Sequence, residues 1–246
     1  IFSDPELTDD ELDLFPKDFI TYMSIPSTYY GVHGMIDDYR GTSEVLDPTV
    51  LMIEKNEENG PFPLKHKKDF AKTLADSRRP LPESMLEALR QFLLINAIRD
   101  LRGEENTHRT MMVNASRFTD VQNALSKRLS VVLSKYQNEL RLCVRASDAA
   151  GNSVYQAFKK CFDRYFPHCG CRWENVLKQL PASSQGIVTV AVNQSSSDTL
   201  NYSDHEQGLR AIAVGGLSLS RGLTLEGLCV SYLYRTTAAY DTLMQM

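Results

Sequence analysis

The sequence predicts an α/β fold, a mainly parallel sheet flanked by helices, on three observations. Four short apolar runs, at 110–115, 186–193, 210–216 and 228–234, have the length of strands and are separated by helical or polar stretches. One of them, Ile187-Val-Thr-Val-Ala-Val192, is almost unbroken, as expected of a strand buried on both faces. Between the first two runs apolar residues recur every three or four positions, which supplies the helical crossovers that parallel strands require.

In chain order, residues 1–15 are acidic (Asp4, Glu6, Asp9, Asp10, Glu11, Asp13), and Phe15–Met23 reads as a short strand closed by Pro26. From Gly31 to Pro82 the apolar period is lost and Gly and Pro recur, so an irregular excursion is expected. Pro82 suits a first helical position, and Leu86, Leu89, Leu93, Ala97 and Leu101 line one face of a long helix over 83–102 that Gly103 ends. Thr110-Met-Met-Val-Asn-Ala115 is a buried strand. Thr119-Asp-Val-Gln122 is a capping-box pattern opening a helix with Val121, Leu125, Leu129, Val132, Tyr136 and Leu140 on one side. Further helices are expected from Ser153 to Phe166, ended by Pro167, and around Trp173–Leu180. After the strand at 186–193 come a polar loop over 194–207, strands at 210–216 and 228–234, and a last helix capped by Thr236 or Thr237. The expected division is an N-terminal accessory region, 1–103, and a sheet-bearing domain, 104–246.

The chain has 246 residues with Lys+Arg 27 against Asp+Glu 31, a formal net charge of -4. No general positive field draws it to phosphates, so nucleic-acid contact must be local. Five cysteines without regular spacing are not a disulfide framework and suit a reducing, cytoplasmic setting. No apolar run reaches the roughly 18 residues of a membrane helix. The start, Ile1-Phe-Ser-Asp-Pro, is not a signal peptide, and the stop at Gln245-Met246 falls within a periodic apolar pattern, so the sequence reads as a piece of a longer chain.

The most informative stretch is Ala213-Val-Gly-Gly-Leu-Ser-Leu-Ser-Arg-Gly-Leu-Thr-Leu-Glu-Gly227, a buried strand running into two glycines and a polar loop. Glycines at the carboxyl ends of strands let backbone N–H groups approach phosphates. On pattern alone the first reading is the plainer one, a tight connection that uses glycine for positive φ.

Within it, Ser220-Arg221-Gly222-Leu223-Thr224 resembles motif V of superfamily-two helicases. The longer string from Ile212 to Leu228, with Tyr240-Asp-Thr-Leu-Met-Gln-Met246, resembles the Z1 domain of bacterial proteins that carry an endonuclease label. Phe15–Ile20, Pro26–Gly31, Met111–Thr119 and Val192–Asp198 fit more loosely. The resemblance implies a RecA-like lobe of a two-lobed motor in restriction-type defence, with nucleotide held between lobes and DNA running across them. It implies nucleotide contacts at Gly222, Thr224, Glu226 and Gln245, and nucleic-acid contacts at Asn114, Arg117, Ser218, Ser220 and Arg221. It also implies ATP and Mg in the intact parent, and as partners DNA, an N-terminal ATPase lobe of the same protein and other defence subunits. No membrane partner is expected.

The sequence departs from the pattern at three points. Thr224 stands where many helicases carry Asp, Leu217 where Asn is usual, and the chain stops before the arginines of motif VI that would stabilise a transferring phosphoryl group. No G-x-x-x-x-G-K-[ST] occurs and no Glu-x-Lys occurs, so neither a phosphate cradle nor a restriction-type metal site is present. No catalytic residue, metal or bound cofactor is therefore expected in this chain alone, and it is expected not to hydrolyse ATP. The expected role is the C-terminal motor lobe of a nucleic-acid-dependent ATPase or translocase; the alternative is a catalytically inactive helicase-like lobe that binds DNA or protein.

Other clusters carry less. Cys161, His168, Cys169 and Cys171 have the wrong spacing for a zinc knuckle. His33, His66 and His205 read as surface residues, and Ser195–Ser197 as a solvated loop. Lys65-His-Lys-Lys68 and Arg78-Arg79 have the chemistry to touch phosphates, and as charge runs in loops they read first as solvated.

Overall fold

Residues 51, 53, 60–146, 149–193, 200–216, 219 and 224–234 are described by the structure, a computed structural model. The strand expected at 15–23 and the helix expected after Thr236 lie outside the described residues. Among the described residues four strands, β1 (Arg109–Asn114), β2 (Val188–Val192), β3 (Arg210–Gly215) and β4 (Leu228–Leu233), form one sheet in the order β2-β3-β1-β4, every pair parallel. The apolar runs of β1 and β3 follow from this order, because both strands are central and buried along their length. Met111, Val113, Ile212, Val214 and Tyr232 face the main core, while Met112, Ala211 and Ala213 face a smaller cluster with Leu200, Tyr202, Leu209 and Leu219. The run at 186–193 forms the expected strand in an unexpected place. β2 is an edge strand with Val188 exposed, so its continuous apolar character reflects half-burial along one side rather than burial on both faces.

Among the described residues there are five α-helices: α1 (Phe70–Ala75), α2 (Glu83–Leu101), α3 (Thr119–Arg145), α4 (Ser153–Tyr165) and α5 (Trp173–Ser184). The apolar residues of all five belong to the main core, so the described helices cover one face of the sheet. α2 is wedged among β1, β4, α4 and α5, and Leu89, Phe92, Leu93, Leu94 and Ala97 are fully buried around its circumference. The expected stripe is therefore too narrow: Leu101, its last member, is exposed, while Phe92 and Leu94 lie in the core. Gly103, at φ +80, ends the helix by accepting a left-handed turn. The sharp start of α4 comes from Asn152, whose side chain accepts from the N–H groups of Val154 and Tyr155. Among the described residues no helix is long and apolar enough to cross a membrane.

Two sequence expectations change. Residues 60–82 are not irregular throughout, since they contain α1 and a fully buried Phe62. The boundary expected at 103/104 coincides with no break in packing, because α2 is the middle of the core; by contacts, residues 52–246 form one unit and 1–51 another.

The amino ends of β1 and β3 are held by buried charge. Arg109, fully buried, donates to the Asp100 carboxylate at 2.6 Å and to the Asn96 carbonyl at 2.8 Å. Arg210 donates to both Asp100 oxygens at 2.8 and 2.9 Å, and the Ser183 hydroxyl adds a fourth bond at 2.5 Å. Burial pushes the Arg109 guanidinium down, and Asp100 offsets it. One carboxylate on α2 thus joins α5 to two strands.

Candidate functional site

In open parallel sheets ligands gather at the carboxyl ends of the strands. Here β1 ends in Asn114, which is fully buried. Its Nδ2 donates to the Gly216 carbonyl at 3.3 Å, and its own carbonyl accepts the Tyr234 N–H at 2.9 Å, so one residue ties together the ends of β3, β1 and β4. Gly215 and Gly216 have ordinary φ, so the positive-φ explanation for this pair does not apply. Close approach does. A Cβ on Gly216 would fall 2.6 Å from Gln122 Nε2 and 3.0 Å from the Ser116 carbonyl, and one on Gly215 would fall 2.7 Å from both Leu219 and the Val192 carbonyl.

The backbone that Gly216 touches is the turn from β1 into α3, Ala115-Ser-Arg-Phe118. Here the expected capping box is replaced. Phe118, not Thr119, occupies the N-cap position and gives no side-chain cap; Gln122 Nε2 instead donates to the Ser116 carbonyl at 2.9 Å. Gln122 Oε1 is buried and has no hydrogen-bond partner among the described residues, which leaves an acceptor beside Gly216. The Ser116 hydroxyl accepts the Phe118 N–H at 3.1 Å and lies 2.8 Å from His66 Nε2, while His66 Nδ1 lies 2.8 Å from the Pro63 carbonyl. A carbonyl only accepts, so Nδ1 carries the proton; in the neutral ring Nε2 then accepts from Ser116. His66 is thus a bridge rather than a surface residue, and its ring packs edge-on to Phe62 at 5.1 Å.

Arg117 is exposed at this turn, with its guanidinium 4.9 Å from the centre of the Phe118 ring. Beside it are the unpaired first-turn N–H groups of α3, a helix of 27 residues whose dipole favours negative charge at this end. Arg117 and these amides have the chemistry to hold a phosphate. The Ser116 hydroxyl and the His66 ring at this turn are engaged with Phe118 and Pro63, and Asp120 in the first turn of α3 is paired with Lys68 at 3.2 Å.

The remaining expected contacts divide. Ser218, Ser220, Arg221, Gly222 and Gln245 lie outside the described residues. Thr224 is exposed. Glu226 sits at the opposite end of the sheet: its carbonyl accepts from Thr110 Oγ1 at 2.8 Å, and its carboxylate is 3.7 Å from His108 Nε2. Thr110 and Asn114 are four residues apart on β1, about 13 Å along the strand. Asn114, Arg117 and Gly216 are brought together, and Glu226 is not among them. Cys161 is buried, with its thiol pushed up to about 12 by that burial, and the Cys169 thiol donates to the Cys171 carbonyl at 3.7 Å. Among the described residues no three His, Cys, Asp or Glu side chains are grouped to hold a metal ion.

A family model for the Z1 domain matches residues 84–246, about two thirds of the chain. The chain belongs to the Z1 domain family. The Z1 match begins at the second residue of α2, in keeping with a core that has this helix at its centre. No curated protein and no solved structure matches the chain.

Sequence reading missed His66, Gln122 and the Asp100 cluster. Asp100 was detectable, since it lies three residues beyond Ala97 on the apolar stripe, where a carboxylate needs buried partners. His66 was not, because its partner lies fifty residues away in sequence.

Proposed function

We propose that this Z1 domain is a nucleic-acid-binding lobe of RecA-like type, the C-terminal motor lobe of a nucleic-acid-dependent ATPase or translocase in bacterial restriction-type defence. The observation that carries this is the carboxyl end of the sheet, where Asn114 and Gly216 brace the turn that presents Arg117 at the head of α3. In this reading Arg117 holds the DNA backbone, Asn114 orders the turn beneath it, and Ser218, Ser220 and Arg221 extend the same track. Gly222, Thr224 and Gln245 face nucleotide. Glu226, at the far end of β1, takes no part. ATP and Mg are held chiefly by an N-terminal ATPase lobe of the same protein, because this sequence has no Gly-Lys phosphate loop of its own. Other defence subunits join the assembly in the cytoplasm.

Binding of labelled DNA to the purified chain tests the proposal. Arg117→Gln is expected to weaken binding severalfold at fixed salt and to lower the salt slope by about 1, with circular dichroism unchanged. Failure of the wild-type chain to bind DNA even at low salt would sink the proposal. In the intact parent Arg221→Gln should reduce DNA-stimulated phosphate release, whereas the isolated chain should release none above buffer.

The alternative, a helicase-like lobe that binds without supporting turnover, draws on Thr224 in place of Asp and on Glu226 turned toward His108. A parent that binds DNA and shows no DNA-stimulated ATPase would favour it.

A further inference from the structure

We infer that the basic segment Lys65-His-Lys-Lys68 is part of the DNA-binding surface, laying a second row of cations beside Arg117 for the phosphates of the same strand. This rests on the function proposed above and extends it to residues outside the matched Z1 segment. A lysine run in a loop is ordinarily just solvated; the difference here is that the run is fixed in place. His66, in its middle, is bonded on one side to Pro63 and on the other to Ser116, the residue before Arg117. Lys68 reaches Asp120 in the first turn of α3 at 3.2 Å. The segment is anchored from below by Phe62, fully buried, which meets Phe70 at 5.2 Å and Tyr234 at 6.0 Å. Lys67 is held at the start of α1, where its carbonyl accepts the Phe70 N–H at 3.1 Å.

Lys65 and Lys67 flank His66 in sequence, their Cα atoms each about 3.8 Å from its own, so the backbone that carries them is fixed where His66 meets Ser116. Both are exposed. Among the described residues, 65–72 and the turn 117–120 together carry five cations, Lys65, Lys67, Lys68, Lys72 and Arg117, against the carboxylates of Asp69 and Asp120, on a chain whose net charge is -4. A local positive patch on an acidic protein directs a polyanion to one place rather than coating the molecule. Anionic membrane is the other polyanionic surface, and its binding draws on apolar side chains that enter the lipid. The exposed large apolar residues of the described chain all lie outside 60–75, and Phe62 is buried, so the patch suits a phosphate backbone.

The test compares three chains: wild type, the triple variant Lys65→Gln, Lys67→Gln, Lys68→Gln, and a charge-matched control, Lys135→Gln, Lys160→Gln, Lys178→Gln, at exposed sites on α3, α4 and α5. Affinity for labelled single-stranded and duplex DNA is measured between about 50 and 200 mM salt. The triple variant should bind about tenfold or more weakly at low salt, across unrelated sequences, and its log–log salt slope should fall by about 2 to 3. The control should behave as wild type. If Arg117→Gln weakens binding and the triple variant keeps the wild-type slope, this inference is overturned and the function stands. If wild type binds phosphatidylserine vesicles and not DNA, both are overturned. Loss of folding in the triple variant, read by circular dichroism, would also overturn it, since these lysines would then serve the fold.

Discussion

At the amino end of the sheet, Arg109 and Arg210 are turned inward onto Asp100 and closed off from water, whereas at the carboxyl end Arg117, Lys65 and Lys67 stand in solvent with no ion pair among the described residues. Both ends of the same sheet gather cations. The difference lies in what satisfies them. Below, the Asp100 carboxylate, which also accepts the Ser183 hydroxyl, joins the Asn96 and Ser183 carbonyls in accepting from two guanidinium groups, and such charge serves the fold. Above, backbone contacts and glycines hold the turn in place while its charges remain exposed, which is what the proposed function requires.

The sharpest way to break this comparison is Asp100→Ala. It would leave a fully buried Arg109 and a mostly buried Arg210 without their common anion, and removal of one partner from a buried ion cluster costs about 3 to 5 kcal/mol. Urea unfolding followed by circular dichroism should show a midpoint lowered accordingly. A shift worth under about 1 kcal/mol would show that water reaches the cluster and that the amino end is no more closed than the other.

The same contrast explains which parts were legible in the sequence. Strand positions in β1 and β3, the span of α2 and the length of α4 follow from periodicities that burial imposes locally, so the α/β class could be read directly. The rank of β2 in the sheet could not, because Val188, Val190 and Val192 look alike whether a strand is central or at an edge. The glycines at 215 and 216 were visible as unusual; the reason for them, a backbone crossing from another element, was not. The candidate site was therefore half legible. Asn114 and Arg117 were found through a motif, while Lys65–Lys68 was visible only as a basic run that read first as solvated; its place beside the turn comes from tertiary packing through His66 and Lys68.

A smaller effect is expected at the junction that keeps the carboxyl end rigid. Gly216→Ala places a methyl group 2.6 Å from Gln122 Nε2 and 3.0 Å from the Ser116 carbonyl at an unstrained φ, so its cost is one of packing, about 1 to 3 kcal/mol. Gly151→Ala, whose added methyl would meet nothing within 4 Å, should stay within about 0.5 kcal/mol of wild type. DNA affinity discriminates further. Gly216→Ala should weaken it even where the protein remains folded, because the turn bearing Arg117 must shift. Equal DNA binding by the two variants would mean that the position of this turn is unimportant.

Glu226→Gln should have the smallest effect and is the most informative about where function ends. Its carboxylate is half-exposed and 3.7 Å from His108, a pair worth at most about 1 kcal/mol at the surface. The Glu226 carbonyl, which holds Thr110, is untouched by the change. Stability should therefore barely move, and DNA affinity and its salt slope should equal those of wild type. A drop in affinity comparable to that of Arg117→Gln would place a binding residue at the amino end of β1, about 13 Å from Asn114. The division between a closed end and a binding end would then fail, because no compact site at one edge of the sheet spans both residues.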